Sequence, residues 1–335
     1  MKTRTSLLLT GICLLAVGCV EPGETLSDED LVSDPGSLDA ERRREALDPP
    51  VHQPTVSPAA AHRVAGWGKC ALYLDALPTK AGTGSFGDIA FGPRCSILVA
   101  GGLENVVYRF DSKVEKLSVF AKDFPDSDRV VAVAHDPATE VTFVATSYGE
   151  GRGRVFRIDA EGWIKPIVAL DAGHLIRALA IAPPSWAPYG GHLIMVQDGA
   201  VVAVDPNEYG ATVVAEISEV LSDLSFSGEG SLFVADYGKG MVHLVHPSGE
   251  HKVVVENLRG VDGVLASRTD DILHVSENEP QIISKIDLSS GTRLSSRAFD
   301  SGVGPEVTGM LMDRTGVVIA TSSKEDVRLI EGILP

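Results

Sequence analysis

Positive charge is scarce in this chain: 29 Lys and Arg stand against 46 Asp and Glu, a formal net charge of -17. Nucleic acid and anionic lipid surfaces are bound through basic patches, so neither is expected as a direct partner. Cations and basic protein surfaces stay permitted. Cysteine is scarce too, with four residues, and Cys70 and Cys95 have no neighbouring histidines, a poor zinc signature. Beyond the N-terminus no stretch is long and apolar enough to cross a bilayer. Helical periodicity is missing; one short candidate helix, 217–225, stands alone. There is no G-x-S-x-G elbow, and no Ser, His and Asp can be singled out as a triad. Residues 82–87 match G-x-G-x-x-G, but DIAFGP follows, a strand and turn instead of the helix that a dinucleotide phosphate needs. His243 and His246 lie three apart on a strand, on opposite faces, which argues against a shared metal.

What is present begins with an export signal at 1–18. Lys2 and Arg4 precede the apolar segment 6–18, shorter than a span of about 20 residues and suited to a secretory signal. It ends Leu15-Ala16-Val17-Gly18-Cys19, which resembles the lipobox of bacterial lipoproteins. That resemblance implies a lipid on Cys19 as the sole membrane contact and, with Val20 following, an address at the outer membrane of the cell envelope. An ordinary cleaved signal and an anchor helix are the competing readings. Residues 19–63 read as an extended acidic tether: between Val20 and Asp48 ten acidic residues face Arg42, Arg43 and Arg44, and prolines recur. In an oxidising exported compartment Cys70 and Cys95 are expected to pair; two buried free thiols are the alternative.

The remainder, 64–335, is repetitive. GSLFVADYGKGMVHLVHPSGE at 230–250 is one copy of a unit of strand, turn, strand, turn, strand, and most copies run on into a fourth apolar stretch. The last residue of each first strand falls at Phe91, His135, Ile181, Phe226, Ala266 and Met312, steps of 44, 46, 45, 40 and 46. Short β-rich units at that period predict an all-β fold, a six-bladed β-propeller. The last copy leaves no room for a fourth strand, so the alternating run 69–77 is expected to complete it and close the ring.

The fourth copy, with glycine, an apolar pair and Val234-Ala235-Asp236 before a polar turn, is similar to the NHL repeat. Other copies resemble the gluconolactonase and senescence-marker-protein group of six-bladed propellers. That resemblance implies a divalent cation such as calcium on the channel axis, held by a glutamate before Gly-Pro, by asparagines, and by an aspartate that doubles as base. Here the first copy offers Gly87-Asp88, the third Arg177-Ala178, and only Val261-Asp262-Gly263 matches the aspartate element. Asp262 is thus the candidate catalytic residue, and Asp88 and Asp262 the candidate metal ligands. Asp88, Arg177, Asp223 and Asp262 are expected at the channel as ligand-binding residues. Glu104, Arg152, Asp198, Asp236, Glu277 and Glu279 are expected in turns around the same mouth, with Asp236 as a turn cap. An Arg177–carboxylate pair would instead make a structural plug. His135-Asp136-Pro137 reads as turn chemistry, and Trp67, Trp163 and Trp186 as packing residues with sugar stacking as the alternative. Two functions follow: a binding scaffold at the envelope for a protein or glycan partner, or a divalent-cation-dependent hydrolase or lactonase.

Overall fold

A computed structural model describes residues 86–330, apart from short segments at 103, 112–115, 126, 128, 149–151, 172–173, 280, 299–306, 313–317 and 323–326. The signal, the tether, Cys19, Cys70 and the run 69–77 lie outside the described residues.

Each repeat folds as an antiparallel meander. The first sheet holds β1 to β4 (Ile89–Phe91, Ile97–Ala100, Val106–Asp111, Lys116–Lys122) and the second β5 to β8 (Arg129–Asp136, Val141–Tyr148, Arg152–Ile158, Ile164–Ala169). The third holds β9 to β12 (Ile176–Ile181, Leu193–Gln197, Ala200–Val204, Ala211–Glu216) and the fourth β13 to β16 (Leu221–Phe226, Leu232–Asp236, Met241–Val245, His251–Val255). The fifth holds β17 to β20 (Val261–Ala266, Ile272–Asn278, Gln281–Asp287, Thr292–Ala298). A last sheet holds β21 to β23 (Val307–Met312, Val318–Ser322, Val327–Ile330). This is an all-β propeller.

The expectation of six complete blades is corrected: among the described residues there are five four-stranded blades and a three-stranded sheet. Described residues of the last copy are spent on three strands, and the run expected to add a fourth is not among them. The candidate helix at 217–225 is also corrected. Leu221, Leu224 and Phe226 are buried on β13, which pairs with β14, so cross-strand pairing overrides the local pattern.

Sheets stacked face to face explain the composition of the strands. Middle strands bury both faces, so β2 (ILVA) and β14 (LFVAD) are buried throughout and read as continuous apolar runs. Outer strands meet solvent, and β20 is exposed along its whole length. Between the third and fourth blades Trp186 is buried edge-on against Phe226, ring centroids 5.3 Å apart.

The innermost strands β1, β5, β9, β13, β17 and β21 pack in that order around one axis, and β21 returns to β1. There Leu311 joins Phe86, Ile89 and Phe110 in one apolar cluster, and the Thr308 hydroxyl lies 3.0 Å from both the Phe86 and Gly87 carbonyls. Cys95, in the turn between β1 and β2, is disulfide-bonded.

The NHL-like turn of the fourth blade needs glycine at one position. Gly240 has φ +64°, and a Cβ there would stand 2.1 Å from the Leu258 carbonyl oxygen. Gly240→Ala is therefore expected to lower stability by about 2 kcal/mol or more, read as a reduced melting temperature with unchanged β-sheet circular dichroism at 20 °C.

Candidate functional site

The repeat register sorts the axis into layers. Three residues before each first-strand end lie Asp88, Ala132, Ala178, Asp223, Gly263 and Gly309. Four are alanine or glycine, and the two aspartates stand three strands apart whichever way the ring is followed, on opposite sides of the axis. The glycines flank them: a Cβ on Gly309 would lie 2.9 Å from Asp88 Oδ1, and one on Gly263 3.6 Å from Asp223 Oδ2. The small residues are what make room for two carboxyl groups in the narrowest part of the ring.

The two acids are held alike. Asp88 Oδ1 accepts from the N–H of Ile89 (2.7 Å) and Oδ2 from that of Val133 on the next blade (3.4 Å). Asp223 Oδ1 accepts from Leu224 N–H (2.8 Å) and Oδ2 from Val264 N–H on the next blade (2.8 Å). Each carboxyl thus braces two neighbouring blades at the axis. Both still line a central cavity of about 140 Å³. The layer beyond them is apolar, with Ile89, Val133, Leu179, Leu224, Val264 and Met310, and the far end holds Phe91, Phe226 and His135.

This setting favours the uncharged acids. Burial, and then the charge of Asp223, holds Asp88 well above the usual carboxylate range against the pull of its two N–H donors. Asp223 is pushed up to about 7 by burial, with Asp262 adding repulsion and the Val264 and Leu224 N–H groups opposing.

The remaining expected site residues do not converge on the cavity. At the residue next to the aspartate layer, the inner strands carry a β-bulge that leaves Val131, Arg177, Ser222 and Thr308 out of the pairing register, and Asp262 with Gly263 in the fifth blade. A bulge re-aims its side chain. Arg177 is accordingly exposed and outside the cavity lining, so the expected Arg177–carboxylate plug is corrected: the bonds to Asp88 and Asp223 come from backbone N–H groups. Asp262 is partly buried and also outside the lining, and its charge raises the pKa of Asp223.

The turn acids are occupied elsewhere. Asp236 is fully buried and caps its turn by accepting from Lys239 N–H at 3.0 Å, with His243 Nε2 3.4 Å from its other oxygen. Glu277 is buried beside Arg293 (2.5 Å) and Ser284 (3.2 Å), and Glu104 accepts from the Tyr108 hydroxyl. Asp198 meets His174 Nδ1 at 2.8 Å and accepts from Leu175 N–H at 3.1 Å. Arg152 is exposed at the start of β7, and Glu279 follows β18. None of these six lines the cavity.

His135, expected at the end of a first strand with turn chemistry, sits on β5, 8% exposed, and lines the cavity with Nδ1 3.0 Å from Thr142 Oγ1. Burial lowers its pKa and so favours the neutral ring, partly countered by Glu140 and Asp136. The signal was present in the register, where His135 occupies the position of Phe91 and Phe226. Asp136 does the turn chemistry, accepting from Ala138 N–H at 2.9 Å and Thr139 Oγ1 at 2.7 Å.

Among the described residues no group of three or more His, Cys, Asp or Glu could hold a metal ion. Calcium takes six to eight oxygen ligands. The axial acids offer two carboxyl groups already bonded to backbone N–H, with no third acidic side chain lining the cavity among the described residues, so the donor set does not fit the implied cation.

No protein-family model matches the chain, and no curated protein matches it in sequence. Solved structures match its fold. A gluconolactonase of Xanthomonas campestris aligns with TM-score 0.59 at 13% identity over 80% of this chain and 99% of its own. The PQQ-bound aldose sugar dehydrogenase of Streptomyces coelicolor aligns with TM-score 0.58 at 13% identity, covering 76% and 96%. Virginiamycin B lyase from Staphylococcus aureus aligns with TM-score 0.55 at 11% identity, covering 77% and 88%. At such identities the likeness is one of fold.

An acid whose folded pKa is raised stabilises the fold fully below its unfolded value and loses that contribution as pH rises through the folded one. For Asp223 the window runs from its ordinary 3.8 to about 7. Wild-type stability relative to Asp223→Asn is expected to fall by roughly 1–3 kcal/mol across it. Urea melts of both proteins at a series of pH values check this; parallel curves would contradict it.

Proposed function

We propose that this chain is an envelope lipoprotein, anchored at the outer membrane through Cys19, whose propeller is a binding scaffold for a protein or glycan partner. In this reading 1–18 is the signal and 19–63 an acidic tether. Residues 69–77 supply the outer strand of the last sheet, and the Cys70–Cys95 bond fastens that closure. The observation that carries the scaffold reading is the occupation of the acids: Asp88 and Asp223 brace adjacent blades, and Glu104, Asp198, Asp236 and Glu277 are bonded within their own loops and sheets. A glycan finds support in Trp163, 74% exposed, on the turn before β8, with Lys165 held at 2.7 Å by the Tyr209 hydroxyl nearby.

Hydrolysis is the second reading, favoured by one observation. A carboxyl pair that keeps a proton near neutral pH and faces a cavity meets the requirement for paired acid and base. The enzymes among the fold neighbours are compatible with it.

Calcium separates the two. A binder of the ion gains stability as RT ln(1 + [L]/Kd), about 2.7 kcal/mol at 100 Kd. The scaffold reading expects no rise in melting temperature between chelator and millimolar calcium, and a clear rise lost in Asp88→Ala or Asp262→Ala favours the cation-dependent hydrolase. Independently, Cys19→Ala is expected to move the protein from the membrane fraction to the soluble envelope fraction, as judged by fractionation.

A further inference from the structure

We propose that the central cavity is a binding site for a small alkylammonium ion, its nitrogen between Asp88 and Asp223 and its hydrocarbon tail along the apolar layers beyond. The inference does not rest on the scaffold reading.

Size is the first argument. A cavity of about 140 Å³ is close to the volume at which an aliphatic-lined protein cavity accepts a benzene-sized guest. A guest of about six heavy atoms is therefore the right scale, too small for a sugar with its hydration or for a peptide.

The second argument is the placement of acceptors. A carboxylate offers about four lone-pair sites, and backbone N–H groups take two on each of Asp88 and Asp223. The others are left for the cavity, on opposite sides of an axis where the rest of the layer is alanine or glycine and offers no side-chain donor. An ammonium group brings three donors and no acceptor, which suits two facing acceptor groups.

Charge is the third. Among the described residues no lysine or arginine lines the cavity, and burial favours the neutral form of its one imidazole, His135. Burial disfavours negative charge on both acids, and one ammonium between them offsets the charge that either carries. A carboxylate guest would add like charge, and an alcohol would leave the negative charge unmatched. At the far end His135 Nε2 stands 3.9 Å from Glu140 Oε2, beyond hydrogen-bond reach in a side chain more than nine-tenths buried. Apart from this ring and the Ser225 hydroxyl, the side chains lining the cavity beyond the aspartates are apolar, so the tail is largely hydrocarbon.

Calorimetric titration of the full chain with n-pentylammonium at pH 7.5 tests this, beside n-pentanol and pentanoate, which match its length with no charge or the opposite one. The expected result is saturable one-to-one binding of the ammonium, at least tenfold tighter than pentanol, with no binding of pentanoate. Asp88→Asn and Asp223→Asn should each weaken it at least tenfold. Ala180→Phe, which fills the cavity and leaves both acids in place, should abolish it while circular dichroism stays native; that variant decides the matter if the Asn variants fail to fold. No saturation by the wild type, equal affinity for pentanol, or undiminished binding by folded Ala180→Phe would overturn the proposal.

Discussion

Convergence on an axis is the constraint on which this molecule depends. The innermost strands must approach one another closely enough that side chains of adjacent sheets interlock, and the layer of Asp88 and Asp223 admits only alanine and glycine at its other four positions. Gly309 shows how tight the approach is, since a methyl group there would stand 2.8 Å from Asp88 Cα. Small residues and two short acids together fill what a ring of larger side chains would force apart.

Burial of those acids is costly unless their oxygens are bonded, and the fold supplies the bonds from its own backbone. The N–H groups used belong to innermost strands, whose edges facing the axis have no further strand to pair with. A carboxyl oxygen of one blade satisfying an N–H of the next converts that exposed edge into a contact between blades. The same device recurs with a hydroxyl, where Ser225 Oγ accepts from Ala266 N–H at 3.1 Å. What distinguishes the aspartates is that both line the central cavity, where no cationic side chain matches them among the described residues.

The architecture was legible because repetition is a property of order along the chain. Apolar runs at near-constant spacing located the strands, and the runs KPIVALD and TVVAEI appear as the outer strands β8 and β12. The site was legible only in part. Asp88 and Asp223, two of the four residues expected at the channel, share one register position, three residues before the end of a first strand, and a register survives folding. Arg177 and Asp262 fall one residue earlier, where a β-bulge takes the side chain out of the pairing. No pattern in the letters distinguishes a bulged residue from a paired one. The cavity place of His135 is hidden in the sequence because its neighbours Asp136 and Pro137 signal a turn so strongly.

Composition and order alone determined the class of fold, the repeat and the surplus of acid, since these follow from which residues are apolar and how far apart they stand. Which acids meet, which are tied to a turn, and which face the cavity was decided by tertiary structure. Those distinctions depend on contacts between blades some 45 residues apart, and on local twists of the backbone that redirect one side chain without altering the pattern of the strand that carries it.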